Sequence, residues 1–153
     1  MDLTNLHLTI VHLPLFGTLF GIVFLAYGLF SRNNTIVKAG FLIFVFTALV
    51  AIPTFLSGDP SKEAIKNLPH ISEDIINLHE ELAEKAIWLV EFLGAISLVG
   101  FFIAYDGMSK IKGIVLFTLL VAIITIAALA YVGNTGVKIR HSEIIKVDAQ
   151  IKN

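Results

Sequence analysis

The chain contains no cysteine. That excludes disulfides, thiolate metal sites, iron–sulfur clusters and a covalently attached c-type haem. It does not assign a compartment. Charge is equally scarce: only 15% of the 153 residues are Asp, Glu, Lys or Arg, and the net charge is −1. No basic surface is left for nucleic acid. Residues 1–5 carry no Lys or Arg, and the first apolar run is too long for a signal-peptide core, so a cleavable signal is not expected. No internal repeat or low-complexity stretch occurs. No nucleophile–base constellation, phosphate-binding loop or HExxH motif is present. An enzymatic activity of its own is therefore the less favoured reading.

Apolar residues make up the balance, at 56% of the chain with a mean hydropathy of +0.85. This exceeds an ordinary soluble domain. At 153 residues a single domain is expected. Leu13–Phe30 has no charge, and with Leu8–Val11 it is long enough to cross a hydrocarbon core of about 30 Å as a helix. Pro14 disfavours helix at Leu13. The helix then begins near Pro14 with His12 in its mouth, or begins at Thr4 and kinks. Gly17, Gly21 and Gly28 share one face, where another helix or a flat ligand can approach closely.

A polar turn, Ser31–Thr35, leads to a second run, Ile36–Leu56, with Lys38 near its start and Pro53 near its end. Ser57-Gly58-Asp59-Pro60-Ser61 breaks it. Ser72 is a plausible N-cap for a long third helix from Glu73 to Tyr105, with Glu73 and Asp74 in its first turn. The apolar part of that helix starts near Ala86. Asp106–Gly113 is the third connection, and Ile114–Val132 is the fourth run. Gly133–Gly136 is expected to end it, leaving a polar tail over 134–153 as a short strand or ordered arm. The fold expected is an all-α, up-down bundle of four transmembrane helices with an extended third helix. The spans fall near 8–30, 36–56, 86–105 and 114–132. Trp88 with Tyr131, and Tyr27 with Tyr105, suit two interfacial belts in contact with membrane lipid.

Arg32 and Lys38 flank the first short loop, and Lys110 and Lys112 lie in the third. The positive-inside rule then puts both short loops in the cytoplasm and both termini outside. Lys62, Lys66, Lys85, Lys138, Arg140, Lys146 and Lys152 argue the other way. The dense short loops carry more weight. A bacterial inner membrane with periplasmic termini is the expected location.

An even number of spans brings all five histidines to one face: His7, His12, His70, His79 and His141. Solvated or capping histidines are the plain alternative. His79 shares a helix face with Leu82, Ala83, Ala86, Leu89 and Val90, so it points along the apolar stripe. Glu80, Glu81 and Glu84 flank it and could orient imidazoles or balance a cation. Two imidazoles on facing helices are one way to mount a b-type haem. Arg140 could hold a propionate by a bidentate bond, unless it belongs to a solvated tail. Glu91 lies inside span three, where a lipid-facing carboxylate would cost several kcal/mol. It should be protonated, bonded to Thr118 or Thr125, or lining a wet cavity. Proton handling and a structurally satisfied neutral Glu are both open.

Leu6-His7…Val11-His12-Leu13-Pro14, Ser57-Gly58-Asp59-Pro60…His79-Glu80 and Gly136…Ile139-Arg140-His141-Ser142-Glu143 together resemble a family of small bacterial membrane proteins of unknown function. The resemblance covers nearly the whole chain. Members are four-helix bundles with histidines at the helix ends, and some sit near respiratory or cytochrome components. It implies a His-lined site, binding haem or metal, made of His7, His12, His79 and His141. His70 lies outside the matching segments.

The expected function is that of a membrane-bound b-type haem electron-transfer protein, or an accessory subunit of a respiratory complex, with its site at the outer face. His12 and His79 are the expected axial ligands, and His7 and His141 a second pair or supporting groups. Partners would be other subunits of such a complex or a periplasmic cytochrome. The first alternative is a non-haem site, in which these histidines bind copper, zinc or iron. The second is a structural anchor with no cofactor.

Overall fold

The computed structural model describes residues 9–58 and 73–151, without the side chains of 108–109 and 140–151. Four helices account for nearly all of it: α1 (Leu13–Phe30), α2 (Asn34–Leu56), α3 (Glu73–Ile103) and α4 (Met108–Ile151). A 3₁₀ turn, Ala104–Asp106, closes α3. All four are long and apolar enough to cross a membrane. The protein is an all-α four-helix bundle of the multi-pass membrane class.

The turns explain why consecutive helices run antiparallel. At the end of α1, Asn33 N–H donates to Gly28 O (2.9 Å) and Arg32 N–H to Leu29 O (3.3 Å). This is a Schellman closure, which needs a left-handed residue at its apex. Arg32 takes that conformation, with φ +53°. Asn33 then caps α2, its side chain accepting from Thr35 N (3.0 Å) and Ile36 N (3.2 Å). Between α3 and α4 the reversal falls on Gly107, at φ +102° and ψ 164°. Asn34 Nδ2 donates to Ala104 O at 2.6 Å, tying the two turns together.

Each helix packs on two others. α2 lies between α1 and α3, α4 also lies between α1 and α3, and α1 and α3 stand on the diagonal. In lipid no hydrophobic force draws helices together, so close packing and small residues must do it. Gly17, Gly21 and Gly28 face Thr47, Phe44 and Val37 of α2. Another helix, not a flat ligand, therefore covers that face. A Cβ on Gly28 would come within 2.7 Å of Val37 N, and one on Gly40 within 2.8 Å of Leu25 N. At these two sites the obstacle is backbone, which cannot rotate away.

The core between the spans is filled by Leu25, Val37, Phe41, Phe44, Leu93, Ile111 and Val115. Its buried hydroxyls mostly fold back on their own helices. Thr18 donates to Pro14 O (2.7 Å), Thr47 to Ile43 O (2.7 Å) and Thr125 to Val121 O (2.9 Å). Outward, the surface is as greasy as the core: Phe16, Phe20, Phe24, Phe46, Leu120 and Ile123 are exposed. Such a surface suits lipid contact and not water. Tyr27, Trp88, Tyr105 and Tyr131 are exposed too. Lys38 Nζ lies 4.4 Å above the Tyr105 ring, an interfacial cation–π pair.

Two expectations need correction. Gly133–Gly136 does not end the fourth helix: α4 continues through it to Ile151. The polar tail is accordingly neither strand nor arm but helix. Two glycines cost about 2 kcal/mol against alanine in a helix interior. Contact with α3 supports the helix there, since Thr135 is buried and Gly136 faces the His79 ring. The third helix matches its expected extent closely, with a 3₁₀ turn over its last residues.

Candidate functional site

The antiparallel order brings the start of α1, the end of α2, the first turns of α3 and the region of α4 around Thr135 to one end of the bundle. α1 and α2 stop at that end, at Leu13 and Leu56, while α3 and α4 run on. With 31 and 44 residues, these two reach about 46 and 66 Å, far beyond a core of about 30 Å. Among the described residues, these two extend past the ends of α1 and α2 and form a two-helix projection.

His79 sits at the base of this projection, about 10 Å before the apolar part of α3 at Ala86. It is half-buried and turned toward α4. Its Nδ1 lies 2.8 Å from the hydroxyl of Thr135, which is only 2% exposed. Thr135 Oγ1 is also 2.7 Å from Val132 O, to which it donates. A hydroxyl has one proton to give. With that proton given to Val132 O, Thr135 is left to accept from Nδ1–H of His79. A ring nitrogen held by an outer hydrogen bond is the usual way a ligating imidazole is oriented. Thr135 is the functional residue that reading the sequence missed, because it was placed in a helix-ending turn. The sequence carried little signal for it: the buried stripe of Ile111, Val115, Thr118, Ala122 and Thr125 continues at helical spacing to Leu129, Val132 and Gly136, one residue past Thr135.

His12 is the N-cap residue of α1, with helical Thr9 and Ile10 before it and Pro14 in the first turn. It therefore sits at the mouth of the helix, after a short helical lead. Its side chain makes no capping bond and is exposed, with the ring edge-on to Phe16 at 6.5 Å. It is not aimed into the bundle. His12 and His79 thus occupy the same end but diagonal helices. His7 and His70 lie outside the described residues, as does Ser72. Arg140 and His141 lie on α4, with side chains outside those described. Among the described residues no three His, Asp or Glu side chains gather in a metal-ligand cluster.

Of the flanking acids, Glu81 pairs with Lys85 at 2.6 Å, outside the apolar segment. The hydrogen bond and charge of Lys85 hold its carboxyl below the ordinary range. Glu91 does not bond to either threonine expected for it. Thr125 is committed to Val121 O, and Thr118 Oγ1 has no partner. Glu91 instead lines a recess of about 240 Å³ with Phe55, Glu84, Ile87 and Trp88. Its Oε1 is buried with no hydrogen-bond partner.

Comparison with protein-family models, curated proteins and solved structures returns no match.

Proposed function

We propose that this is a membrane subunit carrying a histidine-ligated metal centre at the end of the bundle where α3 and α4 extend past α1 and α2, with His79 as its first ligand. The observation that supports this is the Nδ1–Thr135 contact, which holds the ring against α4. In this reading the further nitrogens come from His7 and His141, and Arg140 is next to His141 in sequence. Copper, zinc or iron matches a site with imidazoles and no thiolate. Such a centre supplies electron transfer or a fixed positive charge to a respiratory complex or a periplasmic cytochrome. The reading places the protein in a bacterial inner membrane with both termini outside.

A b-type haem does not fit between the spans. Phe41, Phe44, Leu93 and Ile111 fill that space, and the glycine faces are closed by neighbouring helices. The diagonal placement of His12 and His79 favours one second reading, a haem lying across the bundle end above α1 and α2. Absorption spectra of the purified protein, oxidised and reduced, with metal analysis, decide between them. The expected result is stoichiometric metal without a Soret band, lost in His79→Ala. Thr135→Val should retain the fold and lower metal affinity about 10- to 100-fold. A Soret band that depends on both His12 and His79 would establish the haem reading instead. Absence of both metal and haem from protein purified without chelator would overturn both readings.

A further inference from the structure

We propose that the seam between α2 and α3 at the short-turn end of the bundle binds an anionic phospholipid, with Lys38 and Tyr105 holding its phosphodiester. This end lies opposite His12 and His79, so the inference does not depend on the metal centre. The two turns there, after α1 and after α3, are tied together by the bond from Asn34 Nδ2 to Ala104 O. Residues 31–38 and 104–113 contain four cations, Arg32, Lys38, Lys110 and Lys112, against one acid, Asp106, which leaves a net charge of +3. Asp106 lies 3.5 Å from Lys110. Among the described residues no acid pairs with Arg32, Lys38 or Lys112.

Lys38 is the one charged residue in the run Ile36–Leu56, about a turn inside the start of α2. A cation at that depth must reach the headgroup layer or find a partner. Its Nζ lies 4.4 Å above the Tyr105 ring, and that ring stands edge-on to Phe101 at 5.5 Å. The aromatic face holds the ammonium without neutralising it, and an ammonium has three N–H groups to give. The Tyr105 hydroxyl adds a further donor on the same ring. Donors beside an uncompensated positive charge suit a phosphodiester. The residues below this pair suit the rest of the ligand. Leu42, Phe46 and Leu49 follow Lys38 along one face of α2, and Leu98 and Phe102 precede Tyr105 along one face of α3; all five are exposed. Each helix therefore repeats the order of a phospholipid, with a polar group at the interface and an apolar stripe along the span. A free phosphate would use only the first of these. A zwitterionic lipid would bring its own ammonium among Arg32, Lys110 and Lys112, where the one acid is already paired.

The delipidated protein in maltoside micelles is mixed with phosphatidylglycerol and phosphatidylcholine of the same acyl chains, and bound lipids are counted by native mass spectrometry. The expected result is a first phosphatidylglycerol held about tenfold more tightly than phosphatidylcholine. Lys38→Gln should remove about fivefold of that preference, the weight of one cation beside an anionic headgroup. Tyr105→Leu should weaken it in the same direction, and Lys38→Arg should retain it. Tyr105 is exposed, so its variant decides the matter if Lys38→Gln does not fold. Lys85→Gln, at the other end of the bundle, should change nothing. Equal affinities for the two lipids, or a preference unchanged in both Lys38→Gln and Tyr105→Leu, would overturn the proposal. An equal loss in Lys85→Gln would also overturn it, by showing that the preference follows net charge and not this pair. So would displacement of the lipid by inorganic phosphate, which would assign the pair to a free anion.

Discussion

At the residue scale, His79 and Thr135 illustrate how one hydrogen bond can do two things. It joins α3 to α4, and it holds the imidazole in one orientation. Thr135→Val should separate these roles. Loss of one partly buried bond is worth about 1 kcal/mol of stability, read as a small fall in unfolding temperature. Thr135→Ser, which keeps the hydroxyl, should behave like the parent in both unfolding and metal retention. Arg32 makes the opposite case. Its left-handed backbone costs about 1 kcal/mol for a residue with a Cβ. Arg32→Gly should therefore stabilise the protein by up to about 1 kcal/mol in detergent unfolding. An unchanged or lower midpoint would mean that the guanidinium contributes more than the strain costs.

At the scale of elements, the helices meet where side chains are smallest. Gly28→Ala and Gly40→Ala each push a methyl into the backbone of the neighbouring helix. Both should loosen the α1–α2 pair by several kcal/mol, visible as lower thermal stability and easier proteolysis between Ser31 and Asn33. Gly107→Ala should cost about 1–3 kcal/mol for a different reason. Space is open around its Cβ position, but its dihedrals suit only glycine.

The elements were largely legible in the sequence, since charge-free runs of this length have few other fates in lipid. The end of α4 was not. Gly133-Asn134-Thr135-Gly136 has turn composition, and only packing against α3, which the sequence does not display, overrides it. Glu91 was legible as an anomaly, but its surroundings were not. Whether it faced Thr118 on α4 or Phe55 on α2 depends on the rotation of α3, which a wide apolar face leaves unspecified. Of the histidines, His12 and His79 were rightly placed at one end by counting spans. Counting could not show that α1 and α3 are diagonal, and so could not show that His12 and His79 are not neighbours.

At the scale of the whole molecule, the absence of cysteine makes topology easy to test. Ser31→Cys lies in the α1–α2 turn, and Asn134→Cys lies at the opposite end on the exposed side of α4. In intact cells a membrane-impermeant maleimide should label Asn134→Cys and spare Ser31→Cys, given the basic residues beside the short turns. The reverse pattern would turn the histidine end toward the cytoplasm without altering its geometry.

The unequal lengths of the four helices have a last consequence. Two of them end near the lipid surface and two climb past it, so the described bundle finishes as a step: a floor at the ends of α1 and α2, and a wall of α3 and α4. His12 belongs to the floor and His79 to the wall. Among the described residues the two histidines thus stand at different levels, one on the floor and one on the wall. Shortening α4 beyond His141 would lower the wall while keeping His79, Thr135 and His141, so partner recognition and ligand holding can be altered one at a time.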